Sequence, residues 1–160
     1  KMPSGLDRLS VIRDMVREES YKPLSEHLYF NHRQWQSQGP SNVSCYAQSW
    51  SVIYMLRQGA LRKVSRKVWE DEYADIIPNY VSTLNQGFQD AYKEIRAKRI
   101  ERAEKKGLEL DPSDLKINRF DLDPRQKQKI WDAAMEASWG QVDLDEFEKD
   151  WVLYIQKYLK

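Results

Sequence analysis

The chain has 160 residues, of which 41% are hydrophobic and 12% aromatic, which is enough apolar mass for one sizeable core and a length that predicts a single domain over residues 1–160. Its 26 Lys and Arg nearly cancel 25 Asp and Glu, so no overall field draws it to nucleic acid or to an anionic membrane, and six Trp with nine Tyr argue against a disordered chain. A single cysteine, Cys45, excludes an internal disulfide and a cysteine-based zinc site and leaves the redox compartment open.

The chain opens Lys1-Met2-Pro3 without a signal-peptide pattern, an odd natural start that suggests a trimmed tag or an excised fragment. Leu6, Leu9, Ile12 and Val16 recur at three- and four-residue spacing and predict a first helix over Leu6 to Arg17 with one buried face. Glu18 to Ser41 contains Pro23, Gly39 and Pro40 and reads as mostly loop, with a short helix after Pro23.

The longest mostly apolar run follows. Residues 44–57 predict a central helix on which Ile53, Tyr46 and Trp50 share one side, Leu56 and Val52 flank them and Met55 lies opposite. Apolar side chains then surround nearly the whole cylinder, and such a helix belongs inside a protein. The run is too short to cross a bilayer, which takes about 20 residues. Ser41-Asn42 or Ser44 is the expected cap, and Gly59 the expected end.

Leu61, Val64, Val68 and Trp69 give a buried stripe to a further predicted helix, with Arg62, Lys63, Arg66 and Lys67 on its wet side, and Pro78 breaks or kinks it. From Ile77 to Ile95 the apolar residues stay on one face for about five turns, predicting one long helix that tolerates Gly87. Residues 96–122 read as its charged end and a connection: Glu94–Lys98 and Glu101–Lys105 are ion pairs at the favourable spacing, and Gly107 stops the helix. Asp123-Pro124 opens another helix that Gly140 closes, and Asp143 with Glu146 forms a capping-box-like start to the last one, whose stripe is Leu144, Phe147, Trp151, Tyr154, Ile155 and Tyr158. With no strand-like alternation, the predicted fold class is all-α: an irregular bundle of about five to seven helices around the central one.

No HExxH, phosphate-binding loop, nucleophile elbow or metal-ligand spacing occurs, and His27 and His32, five apart, would not meet one metal from a single helix. The bland reading makes them a loop histidine and a surface histidine. The basic runs Arg62 to Lys67 and Lys93 to Lys106 have no accompanying nucleic-acid motif and read as solvated helix surface.

The segment from Asn42 to Leu56, with Tyr46-Ala47-Gln48-Ser49-Trp50 at its heart, resembles the Tyr-Ala-Gln-(Ala or Ser)-Trp helix of a bacterial zinc-peptidase-like family of unknown function. The segment from Ala133 to Gly140, followed by Asp143 to Trp151, is similar to that family's closing pattern: an alanine-rich helix, a glycine, then a helix ending Glu-x-x-Trp. Leu61 to Asp75 and Asp90 to Gln128 look like enlarged connections. The family is similar to the gluzincin metallopeptidases, in which HExxH and a later glutamate bind zinc and a Tyr-x-(Lys or Gln)-Gly helix supplies a tyrosine that donates to the oxyanion. Tyr46 matches that tyrosine by motif, with Ser49 standing where the aminopeptidases have glycine.

The resemblance thus implies a non-catalytic helical C-terminal subdomain of a gluzincin-like metallopeptidase, with Tyr46 in a supporting role. It implies no cofactor in this chain, zinc only in the upstream part, and as partners that upstream portion and a peptide substrate of the full-length protein. Neither nucleic acid nor membrane is an expected partner. The alternative is a helical protein–protein interaction module docking through aromatics such as Trp35, Trp69 or Trp139, and a third reading is nucleic-acid binding by the Lys93 to Lys106 helix.

Overall fold

The computed structural model describes residues 7–37 and 43–159, except the side chains of His32 and Gln36. Among the described residues the chain is all-α, with seven helices, one 3-10 turn and no strand. The helices are α1 (Arg8–Arg17), α2 (Leu24–His27), α3 (His32–Gln36), α4 (Val43–Ala60), α5 (Ile76–Lys106), α6 (Pro124–Trp139) and α7 (Leu144–Lys157), with the 3-10 turn at Asp71–Asp75. They group into two compact units, Lys1–Ala74 with Val142–Lys160, and Asp75–Gln141.

In the first unit α1 packs against α4 and α7, and α7 also meets α2 and α4. Asp7 caps α1 by accepting from the Leu9 amide, and Ile12, Met15 and Val16 form its buried face. Leu6, expected in this helix, lies outside the described residues. The stripe of α7 buries Phe147 and Trp151 completely, each contributing roughly 1.5–3 kcal/mol or more of transfer free energy. Asp143 accepts from the Asp145 and Glu146 amides at 3.0 and 3.1 Å. The expected capping box is only half present, because the Glu146 carboxylate takes the Lys149 ammonium at 2.6 Å instead of reaching back. Pro23 brings no capping side chain to α2, so Glu148 of α7 accepts from the Leu24 amide in its place. The stretch expected to be mostly loop holds one helix more than its proline suggests: Asn31 and Gln34 form a full capping box at the start of α3.

Helix α4 departs from the expectation of burial all round. Its inner face is Cys45, Gln48, Val52, Met55, Leu56 and Gly59, while Tyr46 is 50% and Ile53 48% exposed. Two polar side chains displace the aromatics inside because each has a partner there. Gln48 accepts from the Lys22 amide at 3.1 Å and donates to the Lys22 carbonyl at 2.6 Å. Ser51 donates to the Gln48 carbonyl and accepts from the Trp151 indole N–H at 3.0 Å. Buried polar groups so satisfied cost little. The proposed caps Ser41 and Asn42 lie outside the described residues.

Gly59 does not end α4. It lies inside the helix and is buried, and a Cβ placed there would fall 1.9 Å from the Trp69 ring. The glycine is a seat for an indole rather than a terminator. Residues 61–70 form turns instead of the predicted helix, with Val68 completely buried and Trp69 laid on Gly59 and edge-on to Tyr73. Tertiary packing of two residues here overrides the helical spacing of four.

In the second unit α5 and α6 pack together. Pro78 breaks nothing, because it sits in the first turn of α5, where its missing N–H is not needed. Gly87 lets α6 approach, since a Cβ there would meet Ile130 at 2.8 Å. Gly107 closes α5 in the left-handed region at φ 61°, as its position predicts. The basic end of α5 holds the connection that follows: Arg99 donates to the Asp114 carbonyl at 2.7 Å and pairs with Asp121, and Arg96 donates to the Leu115 carbonyl. Both expected ion pairs form, Lys98 with Glu94 and Lys105 with Glu101. Asp123 and Gln126 make a complete capping box for α6.

Candidate functional site

The candidate site is the amino-terminal half of α4 with the two short helices that precede it. The inner face of α4 is fixed by the Gln48 and Ser51 hydrogen bonds, so side chains on the opposite face project from a rigid support. Tyr46 stands in the first turn, half exposed, its ring edge-on to Trp35 of α3 with centroids 5.2 Å apart. Its hydroxyl makes no hydrogen bond to a described residue. One turn on, Trp50 and Tyr54 stack at 5.2 Å, and Ile53 lies beside them in solvent. Tyr46, Trp50 and Ile53, grouped by spacing as one face, do share a face, but it is the outer one.

His27, which spacing alone leaves as an ordinary loop residue, is built into this site. It ends α2, is 4% exposed, and its ring lies against Phe30 and against Trp35 with centroids 5.7 Å apart. Nε2 is 2.8 Å from the Ser49 hydroxyl, and Nδ1 is buried without a hydrogen-bond partner among the described residues. Burial among aromatic rings lowers its pKa to about 4, so the imidazole is neutral at pH 7. Ser49, standing where glycine occurs in the aminopeptidase pattern, therefore has a definite role: it ties α2 to α4. The pair lacks the acid that orients the base of a serine nucleophile, since no described carboxylate meets Nδ1. His27, Trp35 and Tyr46 thus form a row of three contacting rings, tethered at one end through Ser49 to the helix that carries Tyr46 at the other.

The remaining buried titratable groups support packing. Burial, with a smaller opposing effect of Lys22, raises the Cys45 thiol pKa and keeps it protonated. Burial pushes Tyr154 up to about 12, with Tyr54 adding to it. Burial also raises Tyr73 well above the usual phenol range, helped by its 2.9 Å hydrogen bond to Asp150. Among the described residues no three His, Cys, Asp or Glu side chains gather as a metal-binding set, and no helix is long and apolar enough to cross a membrane. His27 and His32 belong to different short helices.

Of the three tryptophans considered as docking aromatics, Trp35 is half-buried edge-on to Tyr46, Trp69 is seated on Gly59, and Trp139 is only 6% exposed. Trp139 is core, and Trp69 is held by its glycine. The tethered neighbours of Tyr46 carry no local signal, because Ser49 and His27 are 22 residues apart and meet only through folding.

Compared with known protein families, with curated proteins and with solved structures, the chain matches none.

Proposed function

We propose that this chain is the helical C-terminal subdomain of a longer gluzincin-like metallopeptidase, without chemistry of its own, and that the outer face of α4 forms a wall of the peptide cleft. The observation that supports this reading is Tyr46: a phenol half in solvent, its ring braced by Trp35, on a helix whose other face is immobilised by hydrogen bonds. A neutral phenol held in this way donates to an oxyanion that exists only as the tetrahedral intermediate forms, and such a donor lowers the barrier without tightening substrate binding. By the same resemblance, the zinc of that family would be held by upstream sequence.

The test is peptide hydrolysis by the full-length protein with Tyr46→Phe. The expected outcome is a fall in kcat of about 10²–10³ with KM little changed. Unchanged turnover in an active protein removes the oxyanion role.

A second reading has its own support in the length of the aromatic face. Trp50, Tyr54 and Ile53 continue it beyond the one residue that catalysis would use, as in a protein–protein interaction module with no peptidase role. An upstream sequence without HExxH, together with no hydrolysis by the full-length protein, would make this the better account.

A further inference from the structure

We infer that the groove between α5 and α6 in the second unit is a docking site for an acidic, aromatic-bearing segment of a partner protein. Its floor is apolar and largely aromatic: Tyr80, Leu84 and Phe88, four residues apart on α5, face Trp131 of α6 across a cavity of about 370 Å³, within the roughly 300–1,000 Å³ of ligand pockets. The connection between the helices brings Phe120 to the rim, 78% exposed, with the Arg119 guanidinium 4.9 Å from its ring centre. Lys127 completes the rim.

Charge selects the occupant. Arg119 and Lys127, the two cations that line the groove, make no ion pair with a described residue. Among the described residues no acidic side chain lines this cavity. Two unneutralised cations above a largely aromatic floor complement an aromatic side chain flanked by carboxylates, which stacks below and pairs above. A nucleic acid fits less well. Lysine and arginine balance aspartate and glutamate across residues 75–141, and tracking a phosphate backbone takes a basic stripe longer than two side chains. The inference concerns a different unit from Tyr46 and stands whether or not the peptidase reading does.

The experiment titrates the whole chain with the peptide acetyl-Glu-Glu-Phe-Glu-Glu-amide, followed by calorimetry and by amide chemical shifts. Three comparison probes are the same peptide with alanine for phenylalanine, the same peptide with lysine for every glutamate, and an oligothymidylate. The expected result is a Kd on the order of 10–100 μM, with shifts concentrated at residues 80–88 and 119–131. Phe120→Ala and the double variant Arg119→Glu with Lys127→Glu each weaken binding by about tenfold. These side chains lie at the surface, and an unchanged circular dichroism spectrum establishes that the variants fold. Equal binding of the alanine or lysine peptide, tighter binding of the oligothymidylate, shifts elsewhere, or unweakened binding by the folded double variant would each overturn the inference. So would the absence of saturation at about 1 mM peptide.

Discussion

The two faces of α4 both depart from the usual distribution of polarity. Inside, Gln48 and Ser51 are completely buried; outside, Tyr46 and Ile53 are half in water and Trp50 and Tyr54 stack beside them. The difference teaches that side-chain polarity alone does not choose the buried face of a helix. A buried amide is tolerated where both its donor and its acceptor are matched, and the Lys22 backbone matches both for Gln48. The outer residues meet no such requirement: Tyr46 and Ile53 are exposed and Trp50 and Tyr54 are half-buried, a degree of apolar exposure common on protein surfaces.

This contrast can be broken from the inside or sharpened from the outside. The largest effect is expected from Trp151→Ala, which removes a completely buried ring and the donor to Ser51; urea unfolding should show a loss of about 3–5 kcal/mol. Gln48→Leu keeps the volume but leaves the Lys22 N–H and C=O unpaired, and the same measurement should give a loss of about 2–4 kcal/mol. A loss below about 1 kcal/mol would mean that water reaches Lys22 and that the inner face is less dry than its burial indicates.

His27 supplies the pH-dependent test. Its folded pKa is depressed to about 4, so between there and the ordinary histidine value the unfolded chain binds more protons. Stability is therefore fully present about a pH unit or more above 6.5 and falls as pH drops through that value toward 4, by roughly 3 kcal/mol. Thermal melts of wild type and His27→Phe across this range should diverge, the variant lacking that slope. The smallest effect belongs to the outer face: Tyr46→Ala should change stability by less than about 1 kcal/mol. A larger loss would make Tyr46 a packing residue and remove the basis for treating its face as a binding surface.

Much of the helical framework was legible wherever local chemistry decides it. Asp123-Pro124 and Asp143 cap the helices they are expected to open, and Gly107 adopts the left-handed backbone that its position predicts. Reading failed where a distant partner decides. Gly59 reads as a terminator because the indole that requires it comes ten residues later and arrives through a turn. The stripe from Leu61 to Trp69 has helical spacing, yet the burial of Val68 and the seating of Trp69 fix a different path. Of the candidate site, only Tyr46 and its helix were visible, through a motif. Trp35 reads as a docking aromatic, whereas it packs edge-on against Tyr46. His27 has its place in the site only through Ser49, 22 residues away in the chain.

The pairing of Gln48 with Lys22 has one more consequence. Lys22 lies in a segment without regular secondary structure, yet its amide and carbonyl are both engaged by a side chain of α4, as in one rung of a sheet. Its amide hydrogen should exchange with deuterated water at a rate typical of a helix core rather than of a loop. Because that protection comes from a side chain and not from the helical ladder, it reports on tertiary order alone. In an acid state that keeps its helices but loosens its packing, this hydrogen would be among the first to exchange.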